Sequence, residues 1–162
     1  MGEAPALRDQ YGQAWPWPPL APESGLDQGP DGGAVPSRCW LFFLPGAFTP
    51  VCTAELGWVD ELAGRLARDG VGLRVISCDS AAVLRAFGDV HGVRTPLLSD
   101  FWPHGAAARI VGAFDAHTGR PRRVSVLVDA AGRELRRVEA EPGQERRFSD
   151  HLSEADAGPP RG

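Results

Sequence analysis

Residues 45–53 constrain the fold of this chain more than any other stretch, because they join two segments of different character. Residues 39–44 are apolar and aromatic and predict a short buried strand. Residues 54–66 carry apolar residues at helical spacing, with acids early and arginine late, and predict a helix. Pro45 suits the end of the strand, and Pro50 suits the first helical turn, where its missing N–H costs little. The chain therefore turns here from a strand directly into a helix.

Cys52 is the side chain in this turn that has nucleophilic chemistry. At the start of a helix, a thiol faces backbone N–H groups without partners and the positive end of the helix dipole. Both stabilise the thiolate, which is the reactive form of cysteine. The alternative is a small buried core residue. The spacing of Pro45, Thr49 and Cys52 at a strand-to-helix junction favours the reactive role.

Three blocks of sequence, in the right order, resemble the peroxiredoxins, which are thiol peroxidases with a thioredoxin-like fold. The first is the Pro-x-x-x-Thr-x-x-Cys motif that ends at Cys52. The second, residues 97–106, is similar to the one-cysteine alkyl hydroperoxide reductase E type, and the third, residues 123–129, to the strand that carries the active-site arginine. The resemblance covers most of residues 38–150. It implies an α/β fold, with a central mixed β-sheet flanked by helices as a three-layer sandwich.

The resemblance implies that the chain reduces hydrogen peroxide and organic hydroperoxides in antioxidant defence. A thiolate attacks one oxygen of the O–O bond and becomes a sulfenic acid, and donors must align the peroxide and stabilise the leaving oxygen. We expect Cys52 to be the nucleophile and Thr49, unless it is a plain N-cap, to hold the sulfur and the peroxide together. Arg123 would supply a permanent positive charge, and Pro45 would shield the site from water.

Val51 and Glu55 are expected to help bind the substrate. The backbone N–H of Val51, with that of the cysteine, can point into the site as a donor. Glu55 matches a family position for a polar side chain that orients the arginine, although an exposed acid beside the helix dipole is the alternative. Periodicity does not separate Arg123 from Arg122, and the family pattern, counted back from Asp129, selects Arg123.

Cys39 and Cys78 are predicted to be core residues of buried strands. The alternative is that Cys78 resolves the sulfenic acid by forming a disulfide with Cys52. No cysteine follows residue 78, and Gly57 stands where another branch of the family has its resolving cysteine, so a one-cysteine cycle is favoured. An external thiol or redoxin would then be the reductant. The resemblance and a composition typical of a GC-rich actinobacterial genome point to mycothiol with a mycoredoxin-like partner, or to thioredoxin.

Composition limits the class of protein. With 162 residues, we expect a single domain over residues 1–152, followed by a disordered tail at 153–162. The net charge of −4 gives no general affinity for nucleic acid, and no apolar run approaches a membrane span. An odd number of cysteines, 3, with no secretory signal favours the cytoplasm. No zinc spacing or sign of haem or flavin is present, so no cofactor or metal is expected. We also expect a homodimer.

The remaining sequence alternates strands and helices. Residues 14–37 are rich in proline and glycine and predict a loop insertion, either a partner-docking segment or a surface loop whose tryptophans fold back. His151 is expected at the surface. The predicted elements are an N-terminal hairpin within 3–13, strands at 71–78, 96–99, 123–129 and 134–140, and helices at 80–90, 104–111 and 144–152.

Two other functions fit a thioredoxin-like fold. A thiol–disulfide oxidoreductase would need a Cys-x-x-Cys pair, and only Cys52 is present in the motif. A non-catalytic scaffold that binds redox partners would leave Cys52 unreactive toward peroxide.

Overall fold

The computed structural model describes residues 5–23 and 35–152. Its elements follow the predicted alternation of strands and helices. The strands are β1 (Leu7–Arg8), β2 (Ala14–Trp15), β3 (Arg38–Phe43), β4 (Val71–Ser77), β5 (Leu97–Ser99), β6 (Phe114–Asp115), β7 (Arg120–Pro121), β8 (Val124–Asp129) and β9 (Glu134–Glu139). The helices are α1 (Pro50–Ala67), α2 (Ala81–His91) and α3 (Ala106–Ile110), with a 3-10 helix at Phe148–His151.

Seven strands form one mixed sheet in the order β2-β1-β5-β4-β3-β8-β9, and β6 and β7 form a separate hairpin. At its centre, β3 is parallel to β4 and antiparallel to β8. Parallel neighbours need a crossover connection, and α1 supplies it. The start of α1 therefore lies at the carboxyl end of β3.

Alternation along β3 divides its side chains between two cores, because successive residues of a strand face opposite sides of the sheet. The side that carries α1 and α2 receives Trp40 and Phe42, together with Leu44 directly after the strand. The side that carries α3 receives Cys39, Leu41 and Phe43. Helices thus cover both faces of the sheet, which is the three-layer arrangement predicted from the sequence.

The predicted helix at residues 144–152 is wrong over most of its length. Only Phe148–His151 is helical, as a single 3-10 turn, and Arg147 before it is extended (φ −99°, ψ 134°). The cause is tertiary, because the backbone N–H and the guanidinium of Arg146 both bind Glu55, 91 residues earlier in the chain. The prediction for His151 is also wrong, since its side chain is fully buried.

The loop predicted for residues 14–37 begins with a strand, because β2 pairs with β1 and completes the N-terminal hairpin. Trp15 of β2 is itself buried. This agrees with the alternative in which the tryptophans of the loop fold back on the domain. Residues 24–34 of the loop and the predicted tail at 153–162 lie outside the described residues.

Candidate active site

The turn between β3 and α1 is held by hydrogen bonds. The N–H of Ala47 donates to Oδ2 of Asp79 at 2.8 Å. Thr49 precedes α1 with an extended backbone (φ −86°, ψ 151°), but its hydroxyl donates to the Gly46 carbonyl at 3.0 Å and caps no helical N–H. The alternative of a plain N-cap therefore fails. Because its proton is engaged, Oγ1 of Thr49 keeps its lone pairs as hydrogen-bond acceptors.

Cys52 is the third residue of α1, and its side chain is fully buried. Nη1 of Arg123 lies 3.2 Å from its Sγ, so a permanent positive charge faces the sulfur. In the first helical turn, the N–H groups of Val51 and Cys52 have no carbonyl partner within the helix, and the dipole adds to the same positive field. Chemically, this arrangement favours a thiolate.

The two adjacent arginines point in different directions. Arg123 is 8% exposed and binds both Cys52 and Glu55. Arg122 is exposed and binds Glu139 and the Gly112 carbonyl, both at 2.6 Å. Arg123, which the resemblance selected, is thus the arginine in contact with the sulfur.

Glu55 is the centre of a buried charge network. Its Oε1 accepts from Nη1 of Arg123 at 2.6 Å and from Nη2 of Arg146 at 2.8 Å, and its Oε2 accepts from N and Nε of Arg146, both at 2.8 Å. Burial would raise the pKa of Glu55, but the hydrogen bonds and charge of Arg146 and the charge of Arg123 outweigh it and lower the pKa. With its side chain 0% exposed, Glu55 is not the surface acid that the sequence left open.

Arg146 was missed by sequence reasoning. It is buried, and its guanidinium binds Glu55 with two nitrogens and lies 3.6 Å from the Phe42 ring centroid. No motif or periodicity marked it, because the segment predicted a helix and its pattern does not distinguish residue 146 from the adjacent Arg147. The one available signal was Glu55 itself, since a carboxylate orienting one arginine has lone pairs left for another.

Pro45 and Val51 lie at the edge of the site and are both half-buried. Pro45 lines a cavity of about 720 Å³ that also contains Arg123, Arg120 and Glu139. This cavity reaches the buried arginine from the solvent side. The roles predicted for Pro45, Val51 and Thr49 in binding a peroxide remain predictions.

The other two cysteines have different surroundings. Cys39 is in β3 and faces the core on the α3 side, so the sheet separates it from Cys52. Cys78 follows β4 and is buried, and its burial, with the nearby charges of Asp100 and Asp79, raises its pKa to about 12. All three cysteines are free thiols.

Across residues 5–23 and 35–152, no group of three or more His, Cys, Asp or Glu side chains is arranged to hold a metal ion. In the same part of the chain, none of the helices combines the length and the apolar character needed to span a bilayer.

Comparison with known proteins agrees with this geometry. The model of the AhpC/TSA family matches residues 34–134. This range includes β3, the turn that leads to Cys52, and the strands β4 and β8 on either side of β3. The chain belongs to the AhpC/TSA family. Its peroxiredoxin relatives include the alkyl hydroperoxide reductase E of Mycobacterium tuberculosis, which is 34% identical over 92 residues. That alignment covers 57% of this chain and 60% of the relative.

Solved structures of an AhpC and of a peroxiredoxin share the fold. Enterococcus faecalis AhpC superposes with a TM-score of 0.67 at 27% identity, covering 75% of this chain and 74% of that one. The reduced 2-Cys peroxiredoxin of Plasmodium vivax has a TM-score of 0.69 at 18% identity, over 96% of this chain and 77% of that one, and shows the fold alone. The thioredoxin-like fold implied by the resemblance is confirmed.

Proposed function

We propose that this protein is a one-cysteine thiol peroxidase that reduces hydrogen peroxide and organic hydroperoxides through Cys52. The observation that carries the proposal is the buried contact between Sγ of Cys52 and Nη1 of Arg123. Membership of the AhpC/TSA family supports the same chemistry.

Arg123 also has a donor to offer to the substrate. Its Nε is buried and has no hydrogen-bond partner among the described residues. A buried donor without a partner is unfavourable by about 1–3 kcal/mol, so a ligand oxygen at this point gains that energy. Oγ1 of Thr49 would accept the hydroxyl proton of the peroxide, and the N–H groups of Val51 and Cys52 would face the developing negative charge.

The reaction then proceeds by displacement. The Cys52 thiolate attacks the terminal oxygen of R–O–O–H, so the S–O bond forms as the O–O bond breaks and the electron pair leaves with R–O⁻. The leaving oxygen takes up a proton from water and departs as an alcohol, or as water when R is hydrogen, and Cys52 becomes a sulfenic acid. Arg123 stabilises the leaving oxygen, and the cavity beside Pro45 gives the peroxide a route to the arginine.

The surroundings of the other cysteines support a one-cysteine cycle. Cys39 is on the far face of the sheet, and the raised pKa of Cys78 keeps it a thiol near neutral pH, which is the unreactive form in disulfide exchange. We infer that an external thiol reduces the sulfenic acid, either mycothiol with a mycoredoxin-like partner or a thioredoxin. The mycobacterial origin of the related alkyl hydroperoxide reductase E favours mycothiol.

We further propose a cytoplasmic homodimer with a role in redox homeostasis. Three free thiols fit a reducing compartment. Light scattering after size-exclusion chromatography tests the dimer, because a mass of one chain would contradict it.

The decisive experiment is the intact mass of the reduced protein after one equivalent of hydrogen peroxide, with and without dimedone. We expect a dimedone adduct at Cys52, no loss of two mass units, and no adduct in Cys52→Ser. Cys39→Ser and Cys78→Ser are the matched controls and should form the adduct as the natural chain does.

Other outcomes identify the alternatives. An internal disulfide that disappears in Cys78→Ser would establish a two-cysteine cycle. The complete absence of reaction with peroxide would overturn the peroxidase proposal and favour a redox-partner scaffold or a thiol–disulfide oxidoreductase.

A further inference from the structure

His151 is a buried histidine that the proposed chemistry does not use. Its ring is packed among aromatic side chains, 4.9 Å from the centroid of Trp40, 5.4 Å from Phe42 and 6.1 Å from Trp58. Nδ1 lies 2.9 Å from the Arg147 carbonyl, and Nε2 lies 2.8 Å from Oγ of Ser125. Both ring nitrogens therefore have a partner.

The partners of His151 determine where its proton is. A carbonyl only accepts, so the Arg147 contact requires the proton on Nδ1. Burial and the charge of Arg146 lower the pKa of His151 to about 4, so the ring is neutral near pH 7. Nε2 then carries a lone pair, and the hydroxyl of Ser125 donates its proton to it.

Ser125 transmits this orientation to Arg146. With its proton directed at His151, Oγ of Ser125 presents a lone pair to Nη1 of Arg146 at 3.0 Å. Nε and Nη2 of Arg146 donate to Glu55. Glu55 in turn accepts from Arg123, the arginine that contacts the sulfur of Cys52. Nη1 of Arg146 also donates to the Val124 carbonyl at 2.9 Å, and these directions satisfy every bond along the path.

We propose that His151 is a positioning residue for Cys52, acting through Ser125 and Arg146 on the arginine that contacts the sulfur. The proposal rests on the proposed function only in taking Cys52 as the reacting group. Its neutral Nε2 keeps the Ser125 hydroxyl turned away from Arg146. Without that acceptor, the Ser125 hydroxyl can turn its proton toward the guanidinium of Arg146. Arg146 then loses a hydrogen-bond acceptor, and its hydrogen bonds to Glu55 become weaker.

The placement of Ser125 supports a specific role. It lies in β8 on the same side as Leu127, facing the core that contains α1, where an apolar residue would pack without a polar group to satisfy. The strand is otherwise built of buried valine and leucine up to Asp129. A serine and a histidine that satisfy each other and an arginine in this core form a connected polar path from the 3-10 helix to α1.

Two substitutions of His151 separate positioning from packing. His151→Gln can keep an acceptor toward Ser125, whereas His151→Asn can reach only the Arg147 carbonyl. The readout is the pH profile of Cys52 alkylation by iodoacetamide, recorded in a Cys39→Ser/Cys78→Ser background, together with the rate of oxidation by hydrogen peroxide.

We expect His151→Asn to move the midpoint of the alkylation profile upward by roughly half a pH unit and to slow oxidation about threefold, the size of one net hydrogen bond. Ser125→Ala should do the same, and the double variant should add nothing, because both changes break one link. His151→Gln should restore the natural midpoint. His117→Asn, at an exposed histidine, is the control and should change neither readout.

The proposal is overturned if the Ser125→Ala protein, folded by circular dichroism, keeps the natural alkylation midpoint, and this variant decides the question even if the His151 variants do not fold. It is also overturned if His151→Asn and His151→Gln shift the midpoint equally. A natural chain that alkylates at Cys52 but does not consume peroxide would refute the peroxidase proposal alone, since the alkylation profiles still test the positioning role.

Discussion

Three charged side chains form a buried cluster beside Cys52, and their net charge favours one state of the sulfur. Arg123 and Arg146 carry two positive charges, and Glu55 carries one negative charge. A thiolate supplies the second negative charge and makes the buried cluster neutral, whereas a thiol leaves it with a net positive charge in a poorly solvated place. The neutral sulfenic acid formed by oxidation would restore that excess positive charge.

Arg123→Ala should therefore disfavour the thiolate and slow oxidation of Cys52 by about tenfold or more, since it removes the charge that contacts the sulfur. Stopped-flow mixing with hydrogen peroxide measures the rate. The matched control is Arg122→Ala, whose side chain points outward to Glu139 and should leave the rate within about twofold. Equal rates for the two variants would contradict the assignment of Arg123.

Glu55→Gln should lower the free energy of unfolding by about 3 kcal/mol, because two buried guanidinium groups lose their shared carboxylate. Urea denaturation of the reduced protein at pH 7 measures the loss. The control is Glu139→Gln, whose ion pair with Arg122 is 2.6 Å long but about half exposed and should contribute less than about 1 kcal/mol. A loss no larger than that of the control would show that Glu55 is not the centre of the network.

At the scale of elements, the sequence predicts best where local signals decide. The strand before Pro45 and the helix after Pro50 follow from an apolar run, a proline pair and helical spacing, all within about thirty residues. Arg146, Ser125 and His151 could not be found this way. Arg146 bonds Glu55 across the fold, and Ser125 joins Arg146 to His151. A bond between residues 91 apart leaves no periodic trace in either segment.

The 3-10 helix carries a pH dependence that can be tested. The pKa of His151 falls from 6.5 to about 4 on folding, because of burial and the charge of Arg146, so the unfolded chain binds the proton more tightly. The contribution of His151 to stability is thus fully present above about pH 6.5 and is lost as the pH falls toward 4. Between pH 7 and pH 4.5 the loss is roughly 2–3 kcal/mol.

Asp100 works in the opposite direction, because burial raises its pKa from 3.8 to about 6 and its contribution is lost as the pH rises. Comparing the natural chain with His151→Gln at both pH values cancels this effect. The stability difference between the two proteins should shift in favour of His151→Gln by the predicted amount at pH 4.5. Three charged groups lie near the ring: Arg146, Asp150, and Arg136, which donates to the Asp150 carbonyl. They are the same in both proteins, so their effects cancel as well. A difference independent of pH would show that His151 titrates normally.

At the scale of the whole molecule, one buried arginine ties the N-terminal segment to the centre of the sheet. Arg74 of β4 is 1% exposed, donates to the carbonyls of Pro19 and Leu20 at 3.0 and 2.6 Å, and lies 4.9 Å from the Trp15 ring. A guanidinium can bind two carbonyls and an aromatic face together, which an ammonium cannot do in this planar geometry. The start of the proline-rich segment is thereby fixed against the core.

Arg74→Met should release this segment while the active site stays formed. We expect a loss of about 2 kcal/mol in the free energy of unfolding, since one buried and one partly buried carbonyl lose a charged donor. Limited proteolysis with chymotrypsin should then show cleavage near Leu20 in the variant and none in the natural chain. Arg94→Met, at an exposed arginine, is the control for both measurements. Equal resistance of the natural chain and Arg74→Met to chymotrypsin would show that Arg74 does not fix this segment.

The aromatic shell around His151 gives the protein an optical property of its own. Nε1 of Trp40 donates to the His151 carbonyl at 2.9 Å. The Trp58 ring packs edge-to-face against Phe42, whose ring also contacts the guanidinium of Arg146. Indole emission responds to nearby charge, and two indoles border the hydrogen-bonded path that ends at Cys52. Trp40 and Cys52 belong to the same core, against which Trp58 packs. A change of charge at the sulfur should therefore change the emission of these indoles, so that the redox state of the molecule can be followed without any attached label.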